Sequence, residues 1–147
     1  MRILTLLPLL AALPLLVVPA QASAACPTLP AGSDLAWERI DGPGFLFCKA
    51  MRDDGQQAFA VRISGEAAFK PSRSQRAETS IIDGHDVRWY AGQDPFQPQA
   101  MIREALLELD RERVAHIILR ASSEAELAQI RQTAEGLHFA DARVGSK

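Results

Sequence analysis

The stretch from Val114 to Phe139 constrains this chain more than any other, because it joins an apolar strand directly to a capped amphipathic helix. Val114-Ala115-His116-Ile117-Ile118-Leu119-Arg120-Ala121 is rich in β-branched residues and apolar at successive positions. A run without polar alternation suits a strand with neighbours on either side, not a sheet edge. Ser123 then has the profile of an N-cap, and Glu126, three residues on, is placed to reach back and complete a capping box. Leu127, Ile130 and Ala134 share one narrow side at helical spacing, while Glu124, Gln129, Gln132 and Glu135 occupy the rest, so the helix is expected to cover one layer and face water elsewhere. Gly136 is expected to stop it in the left-handed conformation. A strand and helix of this kind dock only on a sheet built by the residues before them, and the class is therefore α+β.

Residues 1–24 read as an export signal. Arg2 gives a positive start, Ile3 to Val18 is rich in leucine and alanine, and Ala22-Ser23-Ala24 offers the small residues a signal peptidase reads. Pro8 and Pro14 interrupt the run, which argues against a retained membrane anchor. Cys26 raises the question of lipid attachment, but Ser23 stands where lipoprotein signals carry leucine. Cleavage after Ala24 leaves 25–147 as a single domain of about 120 residues, enough to bury a core without a metal. The formal charge moves from −2 to −3, since the leader holds Arg2 and no acid. That mild, mixed charge resembles neither a nucleic-acid footprint nor a polybasic membrane patch, so neither partner is expected. Export to the periplasm would place Cys26 and Cys48 in an oxidising compartment, where only one intramolecular pairing exists for two cysteines.

Along the rest of the chain, Pro27, Pro30, Gly32 and Ser33 make an irregular lead-in. Leu35 to Ile40 reads as a short strand, with a break over Asp41-Gly42-Pro43-Gly44. A hairpin follows: Phe45 to Met51 alternates, Asp53-Asp54-Gly55 is turn chemistry, and Ala58 to Ile63 resumes with Phe59, Val61 and Ile63 on one side. Ser64 to Arg76 is polar and reads as a surface loop. A second hairpin runs Ala77 to Ile82, Asp83-Gly84, His85 to Ala91, and Gly92 to Gln99 is another loop. Ala100 to Leu109 is ambiguous. Its residue types and the spacing of Met101, Ile102, Ala105, Leu106 and Leu109 favour helix, whereas the short polar link Asp110-Arg111-Glu112-Arg113 into the apolar strand, which needs partners, favours strand. The strand reading is adopted, for an antiparallel sheet of about six strands with the C-terminal helix packed on one face.

This order of elements, with the ending Ala115-His116-Ile117-Ile118-Leu119 through Ser123 to Phe139, resembles the PsbP-like fold of small exported domains. The resemblance covers most of the mature chain and carries no catalytic motif. It implies a domain that works by binding other proteins, and among exported bacterial members a periplasmic immunity protein that neutralises a secreted toxin.

Candidate chemistry is sparse. Asp83-Gly84-His85-Asp86 sets a histidine between carboxylates, as a hydrolase or metal-dependent enzyme would use, yet Asp-Gly is also what a two-residue hairpin demands. His116 lies among apolar neighbours, where a hydrogen bond to a backbone group is the ordinary expectation. The three histidines share no ligand spacing, no glycine-flanked serine elbow is present, and no metal or cofactor is expected. Trp89 and Tyr90 offer a third reading, a cleft for a small ligand or cell-wall fragment. The remaining candidates are loops: the basic Lys70, Pro71, Arg73 and Arg76, and Asp94-Pro95-Phe96 with Pro98, an aromatic on a proline-stiffened turn. Taken alone, both loops read as solvated connectors with Phe96 turned inward. With export and the absence of a catalytic motif, Lys70, Arg73, Arg76, Asp94 and Phe96 are instead the expected contacts of a non-enzymatic inhibitor or immunity protein.

Overall fold

The computed structural model describes residues 25–139. The export signal expected over 1–24 lies outside the described residues. Seven strands and one helix follow in order: β1 Ala36–Gly42, β2 Phe45–Met51, β3 Gln57–Ser64, β4 Arg76–Ile82, β5 His85–Gly92, β6 Met101–Glu108, β7 Val114–Ala121 and α1 Glu124–Glu135, with a short 3-10 turn at Arg73–Gln75 before β4. The α+β class holds, with seven strands in place of the expected six.

The strands form one antiparallel sheet in the order β1-β2-β3-β7-β6-β5-β4. Strand β7 lies between β3 and β6, which is why its side chains are apolar on both faces. The segment from Met101 to Glu108 is a strand along its whole length because β7 needs a second partner, and that demand overrides the helical propensity of its residues. Strand β1 also runs on through Asp41 and Gly42, so its turn is confined to Pro43-Gly44.

Register assigns each side chain to a face. Cys48, Val61, Ile117 and Ala105 form one cross-strand row, all fully buried, and share a core with Leu127, Ile130 and Ala134 of α1. On the opposite face Lys49, Ala60, Ile118, Glu104 and Tyr90 form another row. The connection from β3 to β4 must pass over β7, β6 and β5, and it does so on this second face: Phe69 packs edge-on to Tyr90 at 6.0 Å and lies over His116 at 4.8 Å.

Local chemistry at the helix ends departs from expectation in two ways. Ser123 caps as expected, its hydroxyl accepting the Glu126 amide at 3.2 Å, but Glu126 reaches back to the amide and hydroxyl of Ser122, at 2.8 and 2.6 Å, and not to Ser123. These bonds hold the Glu126 carboxyl below its usual range. At the other end Gly136 has φ −85° and is not left-handed. The helix closes instead through tighter bonds from the amides of Gly136 and Leu137 to the carbonyls of Thr133 and Ala134. A Cβ there would come to 3.0 Å from the Pro30 ring, so any larger residue needs that ring to give by a few tenths of an ångström.

The lead-in is tied down at several points. Cys26 and Cys48 form a disulfide, so the Cys26 sulfur is not available to a lipid thioether. Thr28 and His138 exchange two backbone hydrogen bonds, and the Trp37 indole donates to the Pro27 carbonyl at 2.7 Å. Among the described residues no helix is long and apolar enough to cross a membrane.

Candidate functional site

Four strand ends meet at one end of the sheet: the start of β4, the end of β5, the start of β6 and the end of β7. The 93–100 loop joins two of them, and the 3-10 turn at Arg73 enters β4 beside it. Phe96 stands on that loop 93 % exposed, so the inward-turned reading is wrong. The reason is local. Asp94 Oδ1 accepts the amides of Phe96 at 2.8 Å and Gln97 at 3.3 Å, while its Oδ2 meets the Arg120 guanidinium of β7 at 2.5 Å. A carboxylate that gathers two amides of its own turn and anchors to a strand fixes the backbone of the loop that carries the exposed Phe96. The Phe96 amide, with help from Arg120, also keeps the Asp94 carboxyl below its usual range. Asp94 is thus a brace for Phe96 and spends its acceptors inside the protein.

Lys70, Arg73 and Arg76 are all exposed. Phe69 anchors its own segment, which leaves the adjacent Lys70 in solvent. Among the described residues none of these three cations, nor Arg88 on the far face of β5, has an ion-pair partner. Most other cations do: Arg103 meets Glu78, Arg120 meets Asp94, and Arg131 bridges Glu78 and Glu135. Sequence reading singled out the three loop cations and missed Arg88, whose place beside them depends on the β4–β5 register.

The remaining candidates fall elsewhere. Asp83 and Gly84 take φ of 50° and 78°, the two positive values of a type I′ hairpin turn, as the Asp-Gly pair demands. The Asp83 side chain, 8 % exposed, shares a 2.5 Å hydrogen bond with His138 Nδ1 and accepts the Phe139 amide at 3.0 Å. Strand alternation puts His85 and Asp86 on opposite faces of β5. Trp89 and Tyr90 are likewise separated. Trp89 is fully buried beneath α1, where its indole donates to Ser80 and Ser80 to Glu135, whereas Tyr90 lies on the other face against Phe69. The two rings therefore share no cleft.

His116 is buried, and Nε2 faces Glu104 Oε1 at 3.0 Å, a carboxylate in place of the expected backbone group. Its Nδ1 is buried with no partner. Among the described residues no three His, Cys, Asp or Glu side chains gather as a metal would require.

In comparisons with known proteins, no family model, no curated protein and no solved structure matches this chain.

Proposed function

We propose that this chain is an exported, periplasmic protein-binding module, an immunity or inhibitor protein that neutralises a secreted effector toxin by covering its active site. The observation that carries the reading is Phe96, a large aromatic held 93 % exposed by a loop whose own carboxylate fixes it there. An isolated monomer gains nothing from that arrangement, whereas a pre-ordered aromatic entering a partner's pocket contributes binding energy with little ordering cost. Arg73 and Arg76 enter β4 at the same end of the sheet, and with Lys70 they are exposed cations that pair with no acid among the described residues, which suits an acidic rim on the partner. The order of strands and helix that resembles PsbP-like domains supports the same class of work.

The test is co-purification from the exported fraction of the source cells, with wild type and Phe96→Ala side by side. Wild type is expected to recover one stoichiometric protein, and Phe96→Ala to weaken that complex by about 2 kcal/mol or more with an unchanged melting temperature. Turnover of a substrate by the isolated protein, or equal capture by both forms, refutes the proposal.

A further inference from the structure

The two outer edges of the sheet are built differently. Strand β1 presents Glu38, Arg39 and Asp41, tied into the pairs Glu38–Lys49 and Arg39–Asp41, and charge along an edge deters pairing with another strand. Strand β4 has no such guard along its second half, Thr79-Ser80-Ile81-Ile82, and Ile81 is 66 % exposed. The type I′ turn sets the direction of its backbone groups. Ile82 and His85 flank a two-residue turn and exchange both hydrogen bonds, Ser80 and Val87 do the same two residues back, and so Thr79 and Ile81 turn their amides and carbonyls outward. Neither makes a backbone hydrogen bond outside the sheet ladder among the described residues. The shift in register between Arg76 and Thr79 ends this open ladder at Thr79.

Charge then selects what fits. Arg73 and Arg76 at the start of β4, and Arg88 paired opposite Thr79, are the unpartnered cations described above, while Asp86 pairs opposite Ile81 at the turn end. The edge is positive at its beginning and negative at its end. A strand added antiparallel, as every neighbour in this sheet is, has its C-terminal end beside Arg76.

We infer that the outer edge of β4 from Thr79 to Ile82 is a strand-addition site for an extended segment of a partner protein, apolar at alternate positions and acidic toward its C-terminal end. Main-chain bonds to Thr79 and Ile81 supply the pairing, contact with Ile81 supplies apolar burial, and Arg73, Arg76 and Arg88 fix direction. The inference rests on the binding-module reading and adds a second contact for the same partner.

The experiment follows backbone amides by NMR while a short acetylated peptide, alternating Thr and Val and closing on Asp-Glu, is added to the purified protein. The Thr79 and Ile81 amides are expected to shift and to exchange more slowly. Affinity is expected to fall about tenfold or more in Ile81→Lys, in Arg76→Glu and for a peptide closing on Lys-Lys, as losing one paired contact implies. Ile81→Pro removes an outward amide and abolishes binding, and Ile81→Lys serves the same purpose should that variant fail to fold. No change at Thr79 to Ile82 under saturating peptide overturns the inference, as does equal binding of the two peptides. Concentration-dependent changes at these amides without peptide also overturn it, because a second copy then takes the edge. Phe96→Ala is expected to leave peptide affinity unchanged, so a failure of the Phe96 reading and a failure of this one are told apart.

Discussion

The Asp83 carboxylate accepts the Phe139 amide at 3.0 Å across 56 residues of sequence, and so joins the turn of the β4–β5 hairpin to the segment that follows the helix. The same segment bridges back to Thr28 near the disulfide. One aspartate in a tight turn thus closes the layer formed by the lead-in, the helix and the sheet.

Asp83→Ala is expected to cost about 1–3 kcal/mol for the orphaned Phe139 amide and roughly 1 kcal/mol more for alanine in a left-handed position. Asp83→Asn keeps both the turn preference and an acceptor oxygen, and loses less. Urea midpoints order the three proteins. Equal midpoints for alanine and asparagine would show that neither the bond nor the turn carries this load.

Ile130 is buried between α1 and the sheet. Ile130→Asp sets a carboxylate there with no cation supplied, and is expected to remove several kcal/mol from a total on the order of 5–15 kcal/mol. Gln132→Asp, on the exposed side of the same helix, is expected to stay within about 0.5 kcal/mol of wild type. Thermal or denaturant unfolding of the pair separates docking of the helix from its mere presence.

Reduction of the Cys26–Cys48 bond, 22 residues apart, frees the lead-in from β2 in the unfolded chain. The expected loss is about 3 kcal/mol, measured as the shift in denaturant midpoint with and without a thiol reductant. The same shift is expected in Cys48→Ala, corrected for the lost side chain.

Asp94 predicts a pH dependence at the Phe96 loop. Its carboxyl is held below the ordinary range, chiefly by the Phe96 amide, so the folded loop favours the charged form. The stabilisation is fully present above the ordinary aspartate value of about 3.9 and is lost as the pH falls through the lower folded value. The Phe96 amide resonance should titrate with a midpoint below that ordinary value. A midpoint at or above it would mean that Asp94 does not brace the turn.

Much of the local structure was legible from chemistry confined to a few residues. The Asp83-Gly84 turn, the Ser123 cap and the buried triad Leu127, Ile130, Ala134 each follow from spacing and from what one side chain does to its own backbone. Pairs across strands were not legible, because they depend on register. Glu104 meets His116 only once the segment from Met101 to Glu108 is a strand beside β7, and its residues alone favour a helix. Gly136 was misread for a related reason: its φ is not left-handed, and the space beside it is narrowed by Pro30, more than a hundred residues earlier.

The candidate surface divides in the same way. Amino-acid order alone determined that a loop runs to Gln99, although Gly92, where it was expected to begin, still belongs to β5, that Lys70 and Arg73 lie outside the strands, although Arg76 opens β4, and that two cysteines are present to pair. Only the tertiary structure showed that Phe96 is exposed, on a loop whose Asp94 is tied both to amides of its own turn and to Arg120 of a distant strand. It also decided which edge is open, because β4 became an outer strand through a connection that crosses three others. Local propensity acts over a turn or two of chain, whereas exposure and edge position are properties of the completed sheet.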